Sequence, residues 1–171
     1  SNAVDATQKL KVLASTGEYK GELGDLKVEV LLDKDAKTLT IRDNGIGMTA
    51  DEIDKYINQI AFSGAEEFVK QYEGKEGAES IIGHFGLGFY SAFMVAEKVQ
   101  IRTRARYEDA QPVQWESNGS PEFTISEIEK ESRGTDIVLF ITEESVEFLE
   151  KQRVQGILDK YCKFLPIPVF F

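Results

Sequence analysis

Apolar residues at Ala3, Ala6, Leu10 and Leu13 fall at helical spacing, Ser1 or Asn2 can cap the run and Gly17 can end it, so the chain opens on a helix. Leu26, Val28 and Val30 alternate with polar residues, Asp33 to Lys37 is rich in turn formers, and Leu39 and Ile41 alternate again. That pattern predicts a β-hairpin. Thr49-x-x-Glu52 then has the form of a capping box ahead of Ile53, Tyr56, Ile57 and Ile60, which predicts a strand running through a glycine turn into a helix. Ser63-x-x-Glu66 caps a short helix over about 64–72, and the small, charged residues from Gly74 to Ser80 suit a movable cover. The expected lid spans about 61–83.

Further on, Val99, Ile101 and Thr103 alternate with Lys98, Gln100, Arg102 and Arg104, the pattern of a strand with one wet face. Val113 with Trp115, Phe123 with Ile125, and Ile137 with Leu139 and Ile141 predict three more strands. The last is apolar on both sides and is expected at the centre. A single long helix is expected over about 143–164, with Phe148, Val154, Ile157, Leu158 and Tyr161 along one side and Pro166 and Pro168 stopping it. The order of elements predicts an α+β fold, a two-layer sandwich in which a mostly antiparallel mixed sheet is covered on one face by helices.

Composition narrows the classes. At 171 residues and 42% hydrophobic, residues 1–171 form one domain with a sizeable core. A net charge of −10 argues against a nucleic-acid face and against docking on anionic lipid. The single cysteine, Cys162, cannot form an internal disulfide and reads as a small packing residue. No apolar run reaches bilayer length and no secretory pattern opens the chain, so a reducing, cytoplasmic setting is expected and the sequon at Asn118 is discounted.

Candidate chemistry lies in the glycines. Gly83, Gly86 and Gly88 stand at G-x-x-G-x-G spacing before an apolar run, and their main chain with the Phe89 N–H can cradle phosphates. Asp43, at the end of a buried strand within D-N-G-I-G-M, can accept the exocyclic amino group of adenine. Gly47 would leave room for the flat base, Met48 would form a soft apolar wall, and Thr135 offers a hydroxyl. The Asn2 amide is an oxygen ligand for a magnesium ion, with Asp5 nearby to order water. Singly, each is an ordinary turn, strand or cap residue; together they form a nucleotide site.

Four motifs in this order, Ser1 to Ala6 (S-N-A-V-D-A), Asp43 to Met48 (D-N-G-I-G-M), Gly83 to Ser91 (G-H-F-G-L-G-F-Y-S) and Arg133 to Thr135 (R-G-T), resemble the Bergerat-type ATP-binding superfamily of gyrase, sensor histidine kinases, MutL and the ninety-kilodalton heat-shock chaperones. The F-Y-S wording and the W-E-S at Trp115 to Ser117 are similar to the chaperone branch in its bacterial, HtpG-like form. The resemblance covers essentially the whole chain. It implies ATP or ADP with Mg²⁺ as cofactors, Asn2, Asp5, Ala6, Asp43, Gly47, Met48, Gly83, Gly86, Gly88, Phe89 and Thr135 as the binding residues, and Asn2 as the metal ligand. In an intact protein it implies a homodimeric clamp, driven by ATP hydrolysis, that acts on unfolded or partly folded clients. The rival readings are a DNA-topology or repair ATPase of the same superfamily and a nucleotide-binding module without turnover.

Departures accompany the match. Phe62 stands where the chaperones carry a lysine, which removes a phosphate contact, and His84 stands where they carry a glutamine. The family's general-base glutamate lies ahead of the asparagine, before Ser1, so residues 1–171 read as a domain truncated at its front, with no catalytic residue, expected to bind ATP but barely to hydrolyse it. Residues 166–171 are expected to begin the connection to a middle domain. Ser1-Asn2-Ala3 is also the tripeptide that affinity-tag removal leaves, so Asn2 stands either as a ligand or as a remnant.

Overall fold

Seven strands form one mixed sheet in the order β5-β4-β3-β6-β2-β1-β7 in a computed structural model that describes residues 2–59, 91–120 and 122–171. The strands are β1 (Val28–Asp33), β2 (Thr38–Asp43), β3 (Ala96–Arg104), β4 (Val113–Ser117), β5 (Thr124–Glu127), β6 (Gly134–Ile141) and β7 (Val169–Phe170). Every neighbouring pair is antiparallel except β1 with β7. The α+β expectation holds. β6 is central, as its two apolar faces imply, and β5 is an edge strand exposed along its whole length.

The inner face carries the core. Val99, Ile101, Val113, Trp115, Leu139 and Ile141 pack there against Ile53 and Ile57, with Trp115 wholly buried. The outer face of the same strands is polar apart from Val138 and Phe140 on β6, and its charges make cross-strand contacts. Gln100 donates to Glu116 at 2.6 Å, and the Lys98 ammonium lies 4.1 Å from the centre of the Phe140 ring.

Helix α1 (Asn2–Ser15) ends as its glycine predicts: Gly17, at φ 81°, lets the Glu18 N–H reach the Leu13 carbonyl at 2.9 Å and its own N–H reach Ala14. Its buried face differs from the predicted one. Val4, Thr7 and Leu10 are buried, while Ala3, Ala6 and Leu13 are only half-buried. A threonine can take that inner position because its hydroxyl donates to the Val4 carbonyl at 2.7 Å. Helix α2 (Ala50–Ile53) opens on the predicted capping box, with both reciprocal bonds between Thr49 and Glu52 formed, and continues as a π-helical segment, Asp54–Gln59.

The single long helix predicted over 143–164 is two pieces. A 3₁₀ segment (Glu143–Leu149) gives way at Glu150, which is extended (φ −91°, ψ 124°), and α3 (Lys151–Tyr161) follows. The break lets Leu149 turn into the core, and the Glu150 carbonyl starts the new helix by accepting from Val154. Tyr161, placed on the packed side by spacing, is 67% exposed. After α3, Ile167 joins Val4 and Val28 in a second small core and β7 pairs with β1, an element the sequence pattern did not announce. Cys162 is half-buried. Among the described residues no helix is long and apolar enough to cross a membrane.

Candidate functional site

Strand register places three polar side chains in one row. Asp43 on β2 pairs with Thr135 on β6, and Thr135 pairs with Thr103 on β3. All three are buried, Thr103 completely. Polar groups in such a place need partners. The Asp43 Oδ1 accepts the Gly45 N–H at 2.9 Å, and the Thr103 and Thr135 hydroxyl oxygens lie 2.8 Å apart. Burial pushes the Asp43 carboxyl from its ordinary 3.8 up to about 7, against hydrogen bonds from the Gly45 and Thr135 amides that favour the carboxylate. Asp136 raises it slightly further and Lys130 lowers it. Any further donor that meets such a desolvated carboxylate favours its charged form.

The loop after β2 is held from four sides. The Asn44 side chain accepts the Lys27 N–H at 2.9 Å and donates to the Asp25 carbonyl at 2.7 Å. Gly45 lies so close to α1 that a Cβ would overlap the main chain at Ala6 and Thr7, and the Ile46 N–H donates to the Ala6 carbonyl at 3.2 Å. On the far side the Arg106 N–H donates to the Ile46 carbonyl at 2.8 Å, and the Met48 N–H donates to the Thr103 hydroxyl at 2.9 Å. The Arg133 guanidinium closes the fourth side. It donates to the carbonyls of Glu22, Leu23, Asn44 and Gly45 and to the Tyr19 hydroxyl, all within 3.1 Å. Gly134, at φ 119°, brings the strand close enough to Asp43 that a Cβ would overlap its carbonyl.

Of the site residues read from sequence, the fold brings together Asp43, Met48 and Thr135. Ala6 joins them through its main chain. Asp5 lies exposed on α1, and Asn2 is the first residue of that helix. Gly83, Gly86, Gly88 and Phe89 lie outside the described residues, as do the predicted lid over 61–83, Phe62 and His84. Gly47 has a use the sequence reading did not give it: at φ 63° its missing Cβ makes way for the Arg104 carbonyl, so glycine here is required by loop packing on β3. Thr103 and Arg133 went unread as site residues. Thr103 had a signal, a hydroxyl in phase with Val99 and Ile101 on the inner face. Among the described residues no group of three or more His, Cys, Asp or Glu could hold a metal ion.

On the outer face, beneath this row, Arg42 binds Asp136 through two bonds of 3.0 and 3.1 Å. Lys130, half-buried there, has its pKa lowered by desolvation, offset in part by Asp136. The two faces of the β2–β6 ladder thus carry acids at successive rungs, Asp136 on β6 paired to a cation and Asp43 on β2 facing the interior side.

The family model for the histidine kinase-, DNA gyrase B- and HSP90-like ATPase matches residues 1–147. The chaperone protein HtpG of Bacteroides fragilis is 63% identical over 171 residues, all of this chain and 24% of that protein. The HtpG of Porphyromonas gingivalis is 59% identical over all of this chain and 25% of its own length, and that of Idiomarina loihiensis 47% identical over 99% of this chain and 27% of its own. The chain thus spans about a quarter of the length of these relatives.

Proposed function

Because the chain belongs to the histidine kinase-, DNA gyrase B- and HSP90-like ATPase family, we propose that residues 1–171 bind an adenine nucleotide with the base at the Asp43 end of β2. The observation that carries this reading is the pairing of a buried carboxylate with a buried hydroxyl on the next strand, held in register by the sheet. Asp43 accepts the exocyclic amino group, a charge-assisted bond of about 1.5–3 kcal/mol. Thr135 donates to the neighbouring ring nitrogen, directly or through water, and Met48 lies against the base. On sequence grounds the Gly83, Gly86 and Gly88 main chain and the Phe89 N–H receive the phosphates.

The Asn2 amide oxygen would be a hard donor for magnesium, at the start of the helix whose Ala6 carbonyl accepts the Ile46 N–H of the loop after β2. Asn2 would supply one oxygen among phosphate and water ligands, and Mg²⁺ would neutralise phosphate charge there. Asp5, exposed on the same helix, would order water. We assign turnover to groups beyond the described residues: of the buried acids described, Asp43 accepts the Gly45 N–H and would be taken by the base, and Asp136 is paired with Arg42.

In the longer protein the reading is that of an ATP-dependent chaperone of the cytoplasm, in which nucleotide binding at this domain closes a clamp between two protomers around unfolded clients. The proteins named as HtpG above support it. Titration of the domain with ATP and ADP, with and without Mg²⁺, tests the base assignment through Asp43→Asn. That change should weaken binding roughly ten- to a hundredfold, a charged acceptor being replaced by an amide. Unchanged affinity defeats the assignment.

A further inference from the structure

We infer that Thr103, buried one strand beyond the base-contacting hydroxyl, is the positioning residue that makes Thr135 a hydrogen-bond donor and so sets the site for adenine over 6-oxopurines. This rests on the reading that the base meets Asp43 and Thr135. A threonine hydroxyl has one proton and two lone pairs. At Thr103 one lone pair is taken by the Met48 N–H at 2.9 Å. Among the described residues its proton has two acceptors within reach, the Thr135 Oγ1 at 2.8 Å and the Gly134 carbonyl at 3.3 Å. The two choices give opposite sites. With the proton on the shorter path, Thr135 is an acceptor toward Thr103 and keeps its own proton for the ligand. With the proton on Gly134, Thr135 must donate to Thr103 and shows the ligand only lone pairs.

The contact between the two hydroxyls is made in either arrangement, and what favours the first is the acceptor left to Thr103 in the second, the Gly134 carbonyl at 3.3 Å. An O–H···O bond is commonest near 2.7–2.8 Å, and 3.3 Å lies beyond its ordinary range. Thr103 is wholly buried and Thr135 nearly so, so water does not compete for Thr103's proton. The row then reads, from β3 to β2, donor, donor, acceptor: Thr103 to Thr135, Thr135 to the ligand, and ligand to Asp43. Adenine presents an amino donor beside a ring-nitrogen acceptor on its Watson–Crick edge, which matches Asp43 and a donating Thr135. Hypoxanthine and guanine present a carbonyl acceptor beside an N–H donor, which meets a carboxylate and a donor with the wrong polarity at both positions. The Met48 amide fixes Thr103 in turn, so the loop that lines the base also orients the hydroxyl chain.

The test is a cycle of variants against base analogues, with dissociation constants measured by calorimetry. Ligands are ATP, 1-deaza-ATP, which lacks the ring nitrogen, and purine riboside triphosphate, which lacks the amino group. Thr103→Val should weaken ATP roughly tenfold, the loss of one directed hydrogen bond, and Thr103→Ser should restore affinity to within about twofold. The Thr103→Val penalty should vanish with 1-deaza-ATP and persist in full with purine riboside triphosphate, while the preference for ATP over ITP falls. An equal penalty with all three ligands would mean that Thr103 acts only by supporting the Met48 loop, and would overturn the inference. Equal binding of ATP and 1-deaza-ATP by the unaltered protein would instead refute donation by Thr135 itself, and equal binding of ATP and purine riboside triphosphate the role of Asp43. Should Thr103→Val not fold, Thr103→Cys, whose thiol is only a weak donor, carries the same cycle with the same deciding outcomes.

Discussion

Asp43→Asn should stabilise the ligand-free domain while weakening its grip on adenine. The carboxyl is buried, and its pKa stands at about 7 against an ordinary 3.8. Below pH 4 the group is protonated whether the chain is folded or unfolded, and contributes no difference. Between about 4 and 7 the unfolded chain gives up this proton and the folded one keeps it, so stability falls as pH rises through that window and stays low above it. The full shift corresponds to about 4 kcal/mol at pH 8. An asparagine has no charge to desolvate and its oxygen can still accept the Gly45 N–H. If half the strain is recovered, about 2 kcal/mol, the melting temperature of a domain this size should rise by about 4–8 °C at pH 8. At pH 4 the two proteins should melt together. Thermal unfolding of both across pH 4–8, without nucleotide, measures this directly. A gap that does not change with pH, or a less stable variant at pH 8, would refute the argument that burial of this carboxylate is a cost the ligand relieves.

Three further outcomes follow from the same geometry. Adenine-nucleotide affinity should fall as pH drops below 7, by up to about tenfold per pH unit as Asp43 gains a proton, and the profile of Asp43→Asn should be flat; calorimetry across pH 5.5–8 reads both. Gly47→Ala should cost about 2 kcal/mol or more in denaturant unfolding, since it combines a positive φ with overlap on the Arg104 carbonyl. Arg133→Lys should lower both stability and ATP affinity, because an ammonium cannot replace a planar fork that serves four carbonyls and a hydroxyl; equal unfolding and binding curves for the two proteins would show the clamp to be idle.

The elements that set the site were the legible ones. Alternation at Val28, Val30, Leu39 and Ile41 gave the hairpin that ends on Asp43, and Thr49-x-x-Glu52 gave a helix start realised atom for atom. Local patterns of this kind have local causes, a period of two on a half-buried sheet and a cap that satisfies its own amides. What escaped depends on contacts far apart in sequence. The break at Glu150 follows from Leu149 reaching the core, a demand that helical spacing over 143–164 cannot register. β7 exists because β1 offers an edge. That Gly47, expected to leave room for a base, also makes room for the Arg104 carbonyl needed the sheet in place, and Arg133 looked like one letter of a motif although its partners begin at Tyr19. Thr103 became a site residue only once the sheet order set β3 beside β6.

The central claim is that the β2 end of this sheet receives adenine. A crystal structure of the domain with bound ADP tests it most directly. The exocyclic amino group is expected within hydrogen-bond distance of an Asp43 carboxylate oxygen, the adjacent ring nitrogen facing the Thr135 hydroxyl directly or across one water, and Met48 against the base. A nucleotide whose adenine lies elsewhere, with Asp43 making no contact to it, would contradict the account.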